Sequence, residues 1–109
     1  MRLRCTLHSQ DQTDVLTMVG DIDMDGAEEL RRVTGALGVP RRPLRVDLTK
    51  VAFMDLTGAH FLADLQRRST VSGTSLVLVG MHPGPVRLLG LLGLTGFCLE
   101  RPQRWKPDG

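Results

Sequence analysis

Val46-Asp47-Leu48-Thr49-Lys50-Val51-Ala52-Phe53-Met54-Asp55-Leu56-Thr57-Gly58-Ala59 passes from a strand through a tight loop to an acidic residue and a hydroxyl at the start of a helix. Leu44, Val46 and Leu48 alternate with polar residues, the period of a half-buried strand. From Thr57 the period changes. Ala59, Phe61, Leu62 and Leu65 share one helical face, and Asp64, Gln66, Arg67 and Arg68 share the other. The spacing predicts a helix over 57–71, closed by Gly73 at its C-terminal end. The first N–H groups of a helix lack partners within it, so its start attracts anions. A phosphoryl group on Thr57 would sit among them and switch the surface around it. Asp55 and Thr57 are also both good helix caps, and the residues alone leave that role open.

Upstream, Arg2 to His8 alternates, with Leu3, Cys5 and Leu7 on one side, as in a half-buried or edge strand. Val15 to Val19 is a second strand, expected to pair with the first. It closes on Gly20-Asp21-Ile22-Asp23. A first helix is expected from Asp25, with Asp25 and Glu28 at capping-box spacing. Ala27, Leu30, Val33 and Leu37 form its apolar stripe, and Gly38 and Pro40 end it. Downstream, Leu76-Val77-Leu78-Val79 is a continuous apolar strand, expected at the sheet's centre. Pro85 suits the first turn of a short third helix carrying Val86, Leu88, Leu89 and Leu92. Phe97 and Leu99 mark a last strand.

The order β-β-α-β-α-β-α-β implies an α/β domain with right-handed crossovers. Its sheet should have about five mostly parallel strands, with three helices mainly on one face. Residues 1–100 make the domain, and 101–109, with Pro102 and Pro107 and no periodicity, make an irregular tail. Trp105 in that tail could dock on a partner or fold back on the body.

The 109 residues carry a formal charge of +2, too even for the basic stripe that nonspecific nucleic-acid binding needs. No apolar run approaches the roughly 20 residues that span a bilayer, and no signal peptide is visible, so a cytoplasmic protein without membrane insertion is expected. Cys5 and Cys98 lack further Cys or His at metal-ligand spacing, so no metal site or cofactor is expected, and both thiols should be buried and reduced. Asp21, Asp23 and His60 could be read as an acid–base set, but no nucleophile or metal ligand lies near them in sequence. Leu88, Leu91, Leu92 and Leu94 are more leucine than one helix face can bury, and the surplus suggests a contact patch for another protein.

The chain resembles the STAS domain, the fold of bacterial anti-sigma factor antagonists, over Leu3 to Leu99. The resemblance is carried by Val19-Gly20-Asp21-Ile22-Asp23, Val46-Asp47-Leu48, Phe53-Met54-Asp55-Leu56-Thr57-Gly58, and Pro85-Val86-Arg87 through Leu94-Thr95-Gly96-Phe97. It implies a protein-binding module without enzymatic activity. The unphosphorylated antagonist binds an anti-sigma factor that is also a serine/threonine kinase, and so frees a sigma factor. That kinase phosphorylates the antagonist, and a phosphatase resets it. Carried onto this chain, the resemblance makes Thr57 the phosphoacceptor. The expected partner surface is Asp21, Asp23, Asp55, Leu56, Thr57, Gly58, His60 and Phe61. Leu56 departs from the family pattern, which commonly has a small hydroxyl residue there, and makes the recognition surface greasier. On that departure rests an alternative, a STAS accessory subunit of a membrane lipid-transport ATPase whose Thr57 loop needs no phosphate.

Overall fold

The computed structural model describes residues 2–102. Five strands, β1 (Arg4–Gln10), β2 (Thr13–Val19), β3 (Leu44–Lys50), β4 (Leu76–Val79) and β5 (Cys98–Glu100), lie in the order β1-β2-β3-β4-β5. β1 and β2 form an antiparallel hairpin, and every later pairing is parallel. The helices are α1 (Ala27–Leu37), α2 (Leu56–Ser72) and α3 (Pro83–Leu91). Each crossover steps one strand further the same way. With right-handed connections, that places all three helices on one face.

The register shows how the two sheet faces differ. Leu16, Val46 and Leu78 stand in one row across the sheet and are completely buried under the helices, together with Leu30, Val33, Leu62, Leu65 and Leu89. The next row, Thr17, Asp47 and Val79, faces the opposite side. Val79 is buried there yet lies outside the main core cluster. β3, not β4, is the central strand, and β4 lies between it and the edge strand β5. The apolar run of β4 therefore does not mark the centre. It supplies the helix-covered face through Leu76 and Leu78 and the other face through Val77 and Val79.

α1 is tied to the sheet edge by its own side chains. The Cys5 N–H donates to Glu29 Oε2, and Arg32 Nη2 donates to the Cys5 carbonyl, both at 2.9 Å. These contacts satisfy backbone groups that an edge strand otherwise leaves open. The Arg32 guanidinium beside Glu29, and then the Cys5 N–H, hold the Glu29 carboxyl at about 2 rather than 4.5. Burial first, with Glu29 adding, pushes the Cys5 thiol up to about 11. Cys98, expected to be buried, is exposed instead, because β5 is the last strand of the sheet.

The start of the first helix also differs from expectation. Asp23, not Asp25, is the cap: its Oδ1 accepts the Asp25 N–H at 3.1 Å and closes a 3-10 turn over Met24–Gly26. α1 follows from Ala27 with Gly26 as its own N-cap residue. Gly26 is packed on Leu3, whose Cδ2 would lie 2.9 Å from any Cβ added there.

Candidate functional site

The site is built where the ends of β2 and β3 meet the start of α2. Ile22 and Met54 form a one-residue parallel bridge beyond the strands proper. The Ile22 N–H donates to the Phe53 carbonyl and the Asp55 N–H donates to the Ile22 carbonyl, each at 3.1 Å. Ile22 and Met54 point into the core. Alternation then turns Asp21, Asp23, Phe53 and Asp55 outward on two adjoining loops.

α2 starts directly on this bridge. Asp55 is its N-cap in extended conformation, and its Oδ1 accepts the Thr57 N–H at 2.8 Å. The cap question left open by the sequence is thus resolved in favour of Asp55. The first intrahelical bond runs from the Ala59 N–H to the Asp55 carbonyl. Thr57 is in the first turn, half-buried, and its hydroxyl is not needed as a cap. Asp23 and Asp55 both hold loop backbone through their carboxylates, one on each side of the bridge.

Gly58 makes the junction close. A Cβ there would lie 2.2 Å from Met54 Cγ and 2.8 Å from Ile22 Cγ2. Gly58 is therefore buried against the bridge, and Phe61, 8% exposed, belongs to the core one turn on. Of the residues expected on the partner surface, these two support it from beneath and present little to a partner. Leu56 is half exposed, and His60 is exposed on the outer face of α2. Asp21 and Asp23 are half-buried on the β2 side.

Sequence reading missed Met24 and Phe53, which stand exposed beside these residues. The signal for Phe53 was its position next to an inward-facing Met54, which alternation turns to solvent. Met24 carries no such signal, because the 3-10 turn that exposes it leaves no periodic pattern in the sequence.

Two residues of the acid–base reading, Asp23 and His60, line different clefts. Asp23 lines a cleft with Arg2, Leu3, Asp25 and Gly26. His60 lines a separate depression with Ala63, Asp64 and Arg67. Among the described residues no group of three His, Cys, Asp or Glu side chains could hold a metal ion. No described helix is long and apolar enough to cross a membrane. The proposed tail contact of Trp105 lies outside the described residues.

A family model described as "Mlab, STAS domain" matches residues 5–100. No curated protein sequence matches the chain. Among solved structures, an anti-sigma factor antagonist from Mycobacterium paratuberculosis is 28% identical, over 90% of this chain and 85% of that one, with a TM-score of 0.75. RsbS of Moorella thermoacetica, in a serine-to-glutamate form, is 19% identical over 92% of this chain and 88% of that one, with a TM-score of 0.76. The Bacillus cell fate determinant SpoIIAA in its phosphorylated form is 15% identical over 93% of each chain, with a TM-score of 0.72. At these identities the last two speak to the fold alone.

Proposed function

The chain belongs to the STAS domain family, and from that premise we propose that it is an anti-sigma factor antagonist switched by phosphorylation of Thr57. In this reading the unphosphorylated protein sequesters an anti-sigma factor with serine/threonine kinase activity in the cytoplasm and so frees a sigma factor. It works as a binding module and carries out no chemistry of its own. A phosphatase acting on phosphorylated Thr57 restores it. The likeness to the mycobacterial antagonist supports the general role.

The observation that carries the reading is the position of Thr57. Its backbone N–H is already engaged by Asp55, so its hydroxyl can be modified without loss of the helix cap. A phosphoryl group adds about −1.5 to −2 charge beside the Asp55 carboxylate. The helix start tolerates that charge locally. A partner charge of like sign about 6 Å away would lose on the order of 4 kcal/mol at an effective dielectric constant near 20. Binding can therefore be turned off without refolding. Asp21, Asp23, Leu56 and His60 complete the surface in this reading.

A second reading, a STAS accessory subunit of a membrane lipid-transport ATPase, draws on Leu56, which is 51% exposed next to Thr57. There the loop would hold the ATPase through apolar contact and need no phosphate. Paired pull-downs from the native host's lysate with wild type and Thr57→Glu, read by mass spectrometry, separate the two. Capture of a kinase-type anti-sigma factor by wild type and its loss with Thr57→Glu is the result expected. Capture of a transport ATPase by both baits overturns the antagonist reading in favour of the subunit.

A further inference from the structure

The loop after α1 and the last two turns of α2 enclose a groove of about 280 Å³. The loop contributes Val39 and Pro40, and the helix contributes Arg67, Arg68 and Val71. Val39 is 72% and Val71 83% exposed, so folding gains little from either side chain. The border of the groove is basic. Arg67 and Arg68 both bind Asp64, one carboxylate between two guanidinium groups, and the exposed Arg41 and Arg42 follow Pro40 in the chain. Over 38–43 and 64–72 there are four arginines against one acidic residue. A groove of this kind selects an apolar side chain flanked by carboxylates.

The chain itself exposes one. Met24 is 76% exposed between Asp23 and Asp25, on the 3-10 turn before α1. Among the described large apolar side chains that reach solvent, Met24 alone has an acidic residue on each side in sequence. The carboxylates of Asp23, Asp25 and Glu28 outnumber the guanidinium groups of Arg2 and Arg4, which line the adjoining clefts. Methionine is unbranched and flexible, and it fills irregular grooves well. The turn and the groove lie at opposite ends of the molecule. α1 leaves the turn after the end of β2 and reaches the groove about 16 Å on, just before β3 begins. Because β2 and β3 are parallel, those are opposite ends of the sheet. Met24 therefore cannot enter the groove of its own chain, yet every copy carries both halves of the contact.

We propose that the Asp23-Met24-Asp25 turn of one copy docks, head to tail, in the Val39–Val71 groove of a second copy. Met24 enters the apolar groove, and Asp23 and Asp25 meet its arginine border. Asp23 keeps its bond to the Asp25 N–H, because a carboxylate accepts from several donors at once. The two surfaces differ, so the contact is heterologous. Every complex keeps an unused turn at one end and an unused groove at the other, and association continues past the dimer. One side chain and its rim bury far less than the roughly 1,200–2,000 Å² of a stable interface, so the Kd is expected at about 0.1–1 mM. The contact goes beyond the antagonist reading and does not depend on Thr57.

The test is sedimentation equilibrium of the full-length protein from about 10 μM to about 1 mM. Wild type is compared with Met24→Ser, which spoils the turn, and Val71→Glu, which sets a carboxylate in the groove against Asp23 and Asp25. Leu91→Ser on α3 is the exposed apolar control. All three side chains are exposed, so thermal unfolding should match wild type. The wild-type average mass should rise with concentration beyond that of a dimer, and Leu91→Ser should follow it. Met24→Ser and Val71→Glu should each weaken association by about tenfold or more. Mixed together, they should form a one-to-one complex and stop there, because one supplies only the groove and the other only the turn. Raising salt from about 0.05 to 0.5 M should weaken wild-type association severalfold, since the rim charges are screened. A wild type that stays monomeric or stops at the dimer overturns the contact. So does association that survives either substitution, a mixture that stays monomeric, or indifference to salt.

Discussion

Gly58→Ala and Gly35→Ala should change stability in opposite directions. Both glycines are in helices, where alanine is favoured over glycine by about 1 kcal/mol. Around Gly35 nothing lies within 4 Å of an added Cβ, so that gain should appear in full. At Gly58 the added carbon would stand 2.2 Å from Met54 Cγ, 2.8 Å from Ile22 Cγ2 and 2.9 Å from Met54 Sδ. Apolar carbons settle at about 3.5–4.0 Å, so α2 or the bridge must shift by an ångström or more. Neither neighbour yields easily, since Ile22 is wholly buried and β-branched, and Met54 is crowded near its root. Overpacking of this kind costs about 1–3 kcal/mol, and three such contacts place it in the upper half of that range. After the helix gain, Gly58→Ala should lose about 1–2 kcal/mol. For a domain of this size that lowers Tm by roughly 5–10 °C, while Gly35→Ala raises it by about 5 °C. Thermal unfolding by circular dichroism reads both. A Gly58→Ala protein stabilised like Gly35→Ala would refute the close seat of α2 on the Ile22–Met54 bridge.

Other substitutions probe separate parts of the account. Ser69 is buried with no hydrogen-bond partner for its Oγ among the described residues, so Ser69→Ala should gain about 1 kcal/mol in urea unfolding; a loss of that size would mean the hydroxyl is satisfied. Glu29 has a folded value near 2 against 4.5 ordinarily, so it adds stability that is complete above about pH 5 and fades as pH falls from 4.5 toward 2. Glu29→Gln should flatten the fall of the urea midpoint across that window, and unchanged slopes would count against the Glu29–Arg32–Cys5 tie. Cys98 is exposed, whereas the Cys5 thiol is buried and raised to about 11. Iodoacetamide at about pH 8 should therefore modify one thiol per native chain, at Cys98, and Cys5 only after unfolding; native labelling of Cys5 would contradict the edge packing of β1.

Much of the fold is legible because it depends on short-range pattern. Leu44, Val46 and Leu48 alternate through β3, and Gly73 closes α2 in the left-handed conformation, φ 74°. What was not legible depends on contacts across the sheet. Asp23 and Asp25 are equally good caps in isolation, and only the folded chain shows that Asp23 takes the turn, with Gly26 lying against Leu3. The exposure of Cys98 follows from the strand order, which periodicity does not report. The Thr57 loop was readable as a motif, but its outward face was not. A one-residue bridge between positions 22 and 54 leaves no periodic trace, yet it decides that Gly58 is buried and that Phe53 meets solvent.

The central claim is that the Thr57 hydroxyl gates a protein-binding surface. The most direct measurement is the Kd of the kinase-type partner for the protein unphosphorylated and stoichiometrically phosphorylated at Thr57, with circular dichroism confirming an unchanged fold. The account predicts that phosphorylation weakens binding by about a hundredfold or more, the equivalent of about 3 kcal/mol. Equal affinities for the two forms would contradict it.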